Sequence, residues 1–443
     1  MNSETTGATT SSVPAPHVVT KSAVTGWVMY DLANTIFAMG VTSLFFPFYV
    51  RDLYGAEKAD TVFTIITAIS MGLIFIASPI LGAMTDRAPR RMPFLFASTL
   101  ICILLTTTLG RFGFMLSAIC YILANIAYQA GTQFYDALLP EVSNETNRGR
   151  IGGYGVGIGY LGSYIAVGAS LYFGTGDKPF LFVLTALLFL LFSLPCLAFV
   201  KERGNPNPRP IDLDMVRKST GETIRALKDG SKFPGLGRFL IGRVFYTDPI
   251  NTVLTVMSLF TVNVAIASGL DKEQGEKKAQ LILTFAITFA IAGGLFWGWL
   301  TDKIGPKKTL NMVLTLWIGN FILGFCIGVF KLPMAAMYVL AGVAGFALGG
   351  VWSADRPYML RLTPPDRVGE FYGLYGMVGR FSAITGPGIW AASTWFFIQK
   401  MNMDPLTGQG ISMLFLLAMM IAGFIILQKV DDKPRDWEKL RNA

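Results

Sequence analysis

Residues 82–91 read GAMTDRAPRR, and residues 298–308 read GWLTDKIGPKK. In both stretches a glycine precedes an aspartate by four residues, and a basic residue and then a basic pair follow. Asp302 comes 216 residues after Asp86 (302 − 86). Each stretch lies between two long apolar segments. A motif that recurs in the same setting indicates an internal duplication, which the rest of the chain can test.

Two further repeats support the duplication. WVMYDLANT (27–35) recurs as YTDPINT (246–252), with Asp248 following Asp31 by 217 residues (248 − 31). The glycine-rich segment at 148–159 recurs at 367–379. A carboxylate in hydrocarbon costs roughly 2.5 to 3.5 kcal/mol at a helix centre, so a repeated one predicts a function. Three repeats at almost one offset make a parallel duplication the simplest interpretation.

Composition predicts a membrane protein. Of 443 residues, 52% are apolar and only 15% are charged, whereas soluble domains are about 25% charged. Apolar runs of 18 or more residues can each cross the bilayer as a helix. We predict an all-α polytopic protein with twelve transmembrane helices in two six-helix bundles. The predicted divisions are a disordered tail (1–22), the first bundle (23–200), a central loop (201–236), the second bundle (237–428) and a C-terminal tail (429–443).

Basic residues in the loops predict the orientation. An even number of spans puts both termini on one side, where the loops and tails contain 24 Lys and Arg residues against nine on the opposite side. The positive-inside rule therefore predicts cytoplasmic termini. The net charge of +9 follows from this topology without nucleic-acid binding. We predict an integral protein of a bacterial-type inner membrane, in contact with the lipid bilayer and monomeric.

The repeated loop motif predicts a latch at the cytoplasmic face. Small residues let helices approach closely, and a carboxylate can bind the positive N-terminus of a neighbouring helix. The alternative is that the basic residues only set the topology. The predicted latch residues in these two loops are Gly82, Asp86, Arg87, Arg90, Arg91, Asp302, Lys303, Lys307 and Lys308.

Three stretches of the sequence resemble those of a known protein family. The stretches at 26–37, 134–163 and 348–387, the last reading LGGVWSADRPYMLRLTPPDRVGEFYGLYGMVGRFSAITGP, resemble the vacuole-effluxer (autophagy-related) branch of the major facilitator superfamily. The family usually has Ser-Arg-Ser where this chain has Ala354 to Pro357, and that difference places Asp355 in the tenth span. The resemblance implies solute transport, with amino-acid efflux in fungal relatives.

Polar residues on helical faces predict a central cavity. Trp27, Tyr30, Asp31 and Asn34 recur at helical spacing and can face one side of the first span. We expect the following residues to line the cavity or bind the solute: Trp27, Tyr30, Asn34, Asn125, Gln129, Tyr246, Asn251 and Arg380. Asp31 and Asp248 are the coupling candidates. Arg380 either binds an anionic solute or pairs permanently with Asp31 or Asp248.

Three further charged residues lie nearer the cytoplasmic ends of their spans. We assign Asp136, Asp355 and Arg356 to the latch region. Asp136 could pair with Arg87 or Arg90, and Asp355 could form a structural ion pair with Arg356. These pairings compete with a role in transport, and the sequence leaves them open.

Enzyme chemistry has little support in the sequence. His17 is the single histidine, the four cysteines show no CxxC spacing, and the glycine-rich segment at 148–159 follows no strand, so we expect no metal, cofactor or nucleotide loop. The leading hypothesis is a secondary active transporter of a small polar solute, an amino acid or another anionic or zwitterionic metabolite, driven by protons. The alternatives are a cation-coupled sugar or organic-solute symporter and a non-transporting scaffold or sensor.

Overall fold

The computed structural model describes residues 19–212 and 233–433, together with residues 435 and 437. These residues form twelve long helices. Their bounds are α1 Lys21–Gly55, α2 Thr61–Arg87, α3 Met92–Thr108, α4 Phe114–Asp136, α5 Arg148–Phe173, α6 Lys178–Phe199, α7 Leu236–Ala267, α8 Lys272–Ile304, α9 Pro306–Phe330, α10 Ala335–Arg361, α11 Val368–Thr394 and α12 Pro405–Gln428. The predicted tail up to residue 18, residues 213–232 of the central loop and most of the last ten residues lie outside the described residues.

The predicted all-α polytopic fold is confirmed. Among the described helices, ten are long and apolar enough to cross a membrane; α3 is apolar but has 17 residues, and α11 is not among the ten. Large apolar side chains such as Ile76, Met115 and Leu171 are more than two-thirds exposed on the outer surface. This exposure suits contact with lipid, where apolar surface needs no cover.

One boundary differs from the sequence prediction for a local reason. The eighth apolar run of the sequence begins at residue 279 and predicts a helix from there, but α8 begins at Lys272. Asp271 accepts a hydrogen bond from the backbone N–H of Gln274 (2.8 Å), and the Gln274 side chain accepts one from the backbone N–H of Asp271 (3.3 Å). This capping box starts the helix two polar turns before its apolar part.

We call α1–α6 the first half and α7–α12 the second half. The terminal face is the end of the bundle at which both described chain ends lie.

The buried apolar residues form two clusters. One runs through the second half and into the terminal end of the first half, and the other is confined to the remainder of the first half. The halves therefore share a continuous core only towards the terminal face.

Glycines allow the two halves to touch at their backbones. A Cβ atom on Gly82 of α2 would lie 2.3 Å from the carbonyl oxygen of Gly369 in α11. In the symmetric pair, a Cβ atom on Gly153 of α5 would lie 2.4 Å from the Gly294 carbonyl oxygen and 2.7 Å from the Gly298 Cα of α8. Helix backbones at these distances leave no room for any side chain, so both crossings require glycine.

This crossing yields a prediction with a matched control in the same helix. Gly153→Ala should destabilise the protein by about 1 to 3 kcal/mol, because the new methyl group meets backbone atoms that cannot give way. Gly168→Ala should be neutral or stabilising by up to about 1 kcal/mol, because alanine favours helix and nothing lies within 4 Å of its Cβ position. Thermal unfolding in detergent measures both, and equal shifts would contradict the proposed crossing.

Candidate functional site

The Asp86 carboxylate at the end of α2 binds the start of α11 in the second half. The backbone N–H groups of Gly369 and Glu370 donate to its two oxygens at 2.8 and 2.7 Å. Arg91 donates to the same carboxylate at 2.8 Å. Helix N-termini carry partial positive charge and unpaired N–H donors, so a carboxylate there is stabilising. This contact joins the halves at the terminal face.

Asp302 makes the reciprocal contact from the second half. The backbone N–H groups of Gly149 and Arg150, at the start of α5, donate to its two oxygens at 2.7 and 3.0 Å. The Arg150 side chain is half exposed and lies 3.8 Å away, so it adds little. Each half thus supplies an aspartate that caps a helix of the other half. We call these two contacts the latches.

The other predicted latch residues have different surroundings. Lys307 donates to the backbone carbonyl of Gln428 (3.0 Å), and Lys303 lies over the ring of Trp299 at 4.0 Å, so both contact their own half. Arg90 and Lys308 are exposed, and Arg87 is partly exposed. These positions place the basic residues around the latches rather than between the halves.

Sequence reasoning missed a segment that supports the first latch. The Glu202 carboxylate accepts hydrogen bonds from the backbone N–H groups of Arg91 and Met92 at the start of α3. Asn205 donates to the backbone carbonyl of Asp86 at 2.8 Å. Burial raises the pKa of Glu202 above its usual range, while the two N–H groups act in the opposite direction. The start of the central loop therefore holds the latch loop in place.

Beneath the latches, one guanidinium bridges the halves. Arg356 of α10 donates from Nη1 to Asp31 of α1 at 3.3 Å, and its Nε lies 3.2 Å from the carboxylate of Asp136 in α4. All three side chains are about nine-tenths buried. The structure pairs Asp136 with this buried arginine and not with Arg87 or Arg90. Arg356 is removed from water and needs counter-ions, whereas Arg87 and Arg90 remain partly or fully hydrated and need them less.

A second ion pair lies wholly within the second half. Arg243 of α7 donates to Asp355 of α10 at 2.9 Å, and both are almost completely buried. Tyr246 and Tyr375 donate to the same carboxylate at 2.6 and 2.9 Å. The predicted pair of Asp355 with Arg356 is not formed, because neighbours in sequence point to different sides of α10.

Arg380 lies deeper and has neutral partners. It is 12 residues into α11, about 18 Å from the helix start. It donates to the Ser78 hydroxyl at 2.6 Å and to the backbone carbonyl of Gln129 at 3.1 Å, both in the first half. Its Nε is buried without a partner among the described residues, and no carboxylate there lies within ion-pair distance. The permanent pair with Asp31 or Asp248 is not formed.

Asp248, the repeat equivalent of Asp31, has a different role. Its carboxylate is fully buried and accepts hydrogen bonds from the Thr385 hydroxyl and from the backbone N–H of Gly386 (2.6 Å). Gly386 precedes Pro387, whose missing N–H interrupts the bonding of α11. Within the described part of the chain, no basic group lies against Asp248. The two repeated aspartates are therefore not equivalent in the folded protein.

The remaining predicted cavity residues have different surroundings. Trp27, Tyr30 and Tyr246 are fully buried inside their own halves; Trp27, for example, stacks on Tyr135 with ring centroids 4.5 Å apart. Asn34 is buried, and neither atom of its side-chain amide has a partner among the described residues. Asn125 of α4 donates to Ser70 of α2 at 2.9 Å, Gln129 of α4 accepts from Arg380 of α11, and Asn251 is partly exposed.

In the described part of the chain, the polar contacts that join the halves begin at the terminal face and extend part of the way along the bundle. Between the described residues, the hydrogen bonds that join the halves extend from the latches to Tyr164, which donates to the Thr284 carbonyl at 3.0 Å. Tyr164 lies about 24 Å along α5 from its terminal end. The structure thus represents a form closed at the terminal face.

The family model of the Major Facilitator Superfamily matches residues 32–387, and a second match covers residues 249–442. The chain belongs to this superfamily. The second match begins within α7, as expected for a duplicated superfamily fold. Family membership confirms the predicted class, a secondary transporter and not an enzyme.

Relatives with curated names support the same assignment. A Bacillus subtilis (strain 168) protein named "Uncharacterized MFS-type transporter YxiO" is 23% identical over 431 residues, which cover 92% of this chain and 94% of that protein. Autophagy-related protein 22-1 of Penicillium rubens is 26% identical over 277 residues, covering 55% of this chain and 44% of that protein. The predicted resemblance to the autophagy-related branch is confirmed.

Solved structures share the fold. The human organic anion transporter MFSD10 (TETRAN) aligns with a TM-score of 0.69 and 15% identity, over 93% of this chain and 99% of that one. The proton:xylose symporter XylE aligns with a TM-score of 0.67 and 16% identity, over 95% of this chain and 97% of that one. At such identities the likeness concerns the fold alone.

The buried pair of Arg243 and Asp355 provides a second prediction. Asp355→Asn should lower the free energy of unfolding by about 3 to 5 kcal/mol, because it leaves a buried guanidinium without its anion. Glu273→Gln should change it by less than about 0.5 kcal/mol, because Glu273 and Lys277 form an exposed pair one turn apart. Detergent melting curves test the contrast, and an unchanged Asp355→Asn would show that the pair contributes nothing to stability.

Proposed function

We propose that this protein is a proton-coupled secondary transporter that moves a small anionic or zwitterionic metabolite, such as an amino acid, by alternating access. The halves rock about a central site, and the terminal face opens and closes. The observation that carries the proposal is Arg380, a buried guanidinium whose described partners are neutral.

The environment of Arg380 suits an anionic solute group. A buried charge left without a counter-ion is costly, and a hydroxyl and a carbonyl offset only part of that cost. The residue lies between the halves, at mid-membrane depth and below the latches. A solute carboxylate could bind the guanidinium through paired, charge-assisted hydrogen bonds. The unpaired Arg380 Nε is then available as a donor.

The latches and the bridge supply the gate. Opening the terminal face breaks the contacts of Asp86, Asp302 and Arg356 together, because all three join the halves at that end. The excess of basic residues in the loops of this face makes it the cytoplasmic one in our proposal. The membrane we propose is a bacterial-type inner membrane, and the described state is the one closed to the cytoplasm.

Asp31 is our first candidate for the coupling proton. It lies in the first half and forms an ion pair with the bridge residue Arg356 of the second half, at 3.3 Å. Protonation would weaken the attraction to Arg356 and so favour opening. Asp248 is the candidate for the alternative mechanism, coupling to a cation such as sodium, because it has no basic partner among the described residues.

The solute-anchoring role of Arg380 can be tested directly. A thermal-shift screen of purified protein against amino acids, sugars and organic acids first identifies a ligand, since a ligand that prefers the folded state raises the melting temperature. Arg380→Ala should weaken its affinity at least about tenfold, the loss of roughly 1.4 kcal/mol expected for a charged hydrogen bond. The control Arg111→Gln, in an exposed loop of the opposite face, should bind normally. Unchanged affinity in Arg380→Ala excludes the anchor.

Proton coupling can be tested in proteoliposomes. Uptake by the wild type should increase with an imposed pH gradient, and any uptake that remains in Asp31→Asn should not respond to the gradient, because asparagine cannot carry a proton. Glu273→Gln, exposed at the opposite face, is the matched control. Full coupling in Asp31→Asn would rule out Asp31, and dependence on a sodium gradient instead would favour the cation-coupled alternative.

A further inference from the structure

We propose that Asp31 and Asp136 form a binding site for an organic cation, an ammonium or guanidinium group of the solute, and that Arg356 occupies this site in the closed state. The inference rests on the alternating access proposed above and narrows the solute class.

Arg356 itself shows that the site accepts such a group. Its guanidinium approaches carboxylates from two helices of the first half, at 3.3 Å from Asp31 and 3.2 Å from Asp136. Arg356 belongs to the second half. The two carboxylates therefore form a site that belongs to one half and is filled by a side chain from the other.

The walls of the site favour an organic cation. The Tyr135 ring lies 5.9 Å from the Arg356 guanidinium carbon and stacks between Trp27 and Tyr30, with centroid distances of 4.5 and 5.1 Å. Aromatic faces attract ammonium and guanidinium groups. These rings lie on α1 and α4, so they stay with the carboxylates when Arg356 moves away.

The α5 helix supplies a wall without side chains. A Cβ atom on Gly155 would lie 2.9 Å from the Asp31 carboxylate oxygen and 2.7 Å from the Trp27 ring. A Cβ atom on Gly159 would lie 3.5 Å from the Asp31 carboxylate carbon. The helix therefore closes the site with backbone while leaving the Asp31 oxygens free to turn towards a cation.

Electrostatics links occupancy of this site to opening of the terminal face. When the halves separate, Arg356 leaves with the second half, and two buried carboxylates lose their counter-ion. Such charges are unfavourable in a low dielectric until a positive group replaces the one removed. A cationic solute group can do so, and it cannot share the site with Arg356. As the terminal face closes, Arg356 therefore displaces the cationic group from these two carboxylates.

The experiment is chemical rescue. Arg356→Ala vacates the site without any need for rocking, and its melting temperature should fall because the carboxylates are unpaired. Ethylguanidinium or propylammonium at millimolar concentration should restore much of that loss, whereas 1-propanol, the neutral isostere of propylammonium, should not. Arg356→Gln, which removes the charge but keeps the side chain as far as Cδ, serves as the vacated site if the alanine variant does not fold.

Two controls make the rescue specific. The triple variant Asp31→Asn, Asp136→Asn, Arg356→Ala has no carboxylates at the site and should show no rescue. Sodium chloride at equal ionic strength should have no effect. Rescue of the triple variant, equal rescue by sodium, or no rescue of either vacated variant would each overturn the proposal.

The result of the rescue experiment can be distinguished from the result of a transport assay. Rescue measures binding in detergent and requires neither transport nor a proton gradient. If rescue succeeds but proteoliposomes show no uptake, the cation site stands and the transport proposal fails. If uptake occurs without rescue, the transporter assignment stands and the solute cation must bind elsewhere.

Discussion

The guanidinium of Arg356 is held by two carboxylates that belong to the other half of the molecule. Each of these three buried charges would be unfavourable without a counter-ion in a medium of low dielectric. They are paired only when the two halves are close. The glycine crossings of α2 with α11 and of α5 with α8 set that closeness, because bulkier residues would push the halves beyond the reach of the side chain. The backbone contacts and the ion pair thus depend on each other.

The contacts between the halves form layers with increasing distance from the terminal face. The latches lie outermost and use helix N-termini, whose partial charges need only one carboxylate each. The Arg356 bridge comes next and uses full charges of both signs. Arg380 lies deeper still and has no opposite charge among the described residues, and the neutral contact of Tyr164 lies beyond it. In the proposed function, the solute supplies the missing charge at the level of Arg380.

The fold and the latches could be predicted from sequence because their signals are local. A glycine, an aspartate and basic residues at fixed spacing occur between two apolar runs, and the repeat shows that the second copy has the same setting. The partners of Asp31 and Asp136 could not be predicted this way. Asp31 and Arg356 are 325 residues apart, and the choice among several possible anions depends on how each helix is rotated. The repeat did contain one unused signal: Asp355 follows Asp136 by 219 residues (355 − 136), and both bind a buried arginine.

The duplicated latch motif has a consequence for how the protein moves. Asp86 of the first half caps α11 of the second, and Asp302 of the second half caps α5 of the first. In each half, the N-terminus of one helix is therefore capped by an aspartate of the other half. In the alternating access proposed above, separation would uncover both helix ends in one event and would disfavour a half-open intermediate. The reciprocal caps would then make opening cooperative, between two positions.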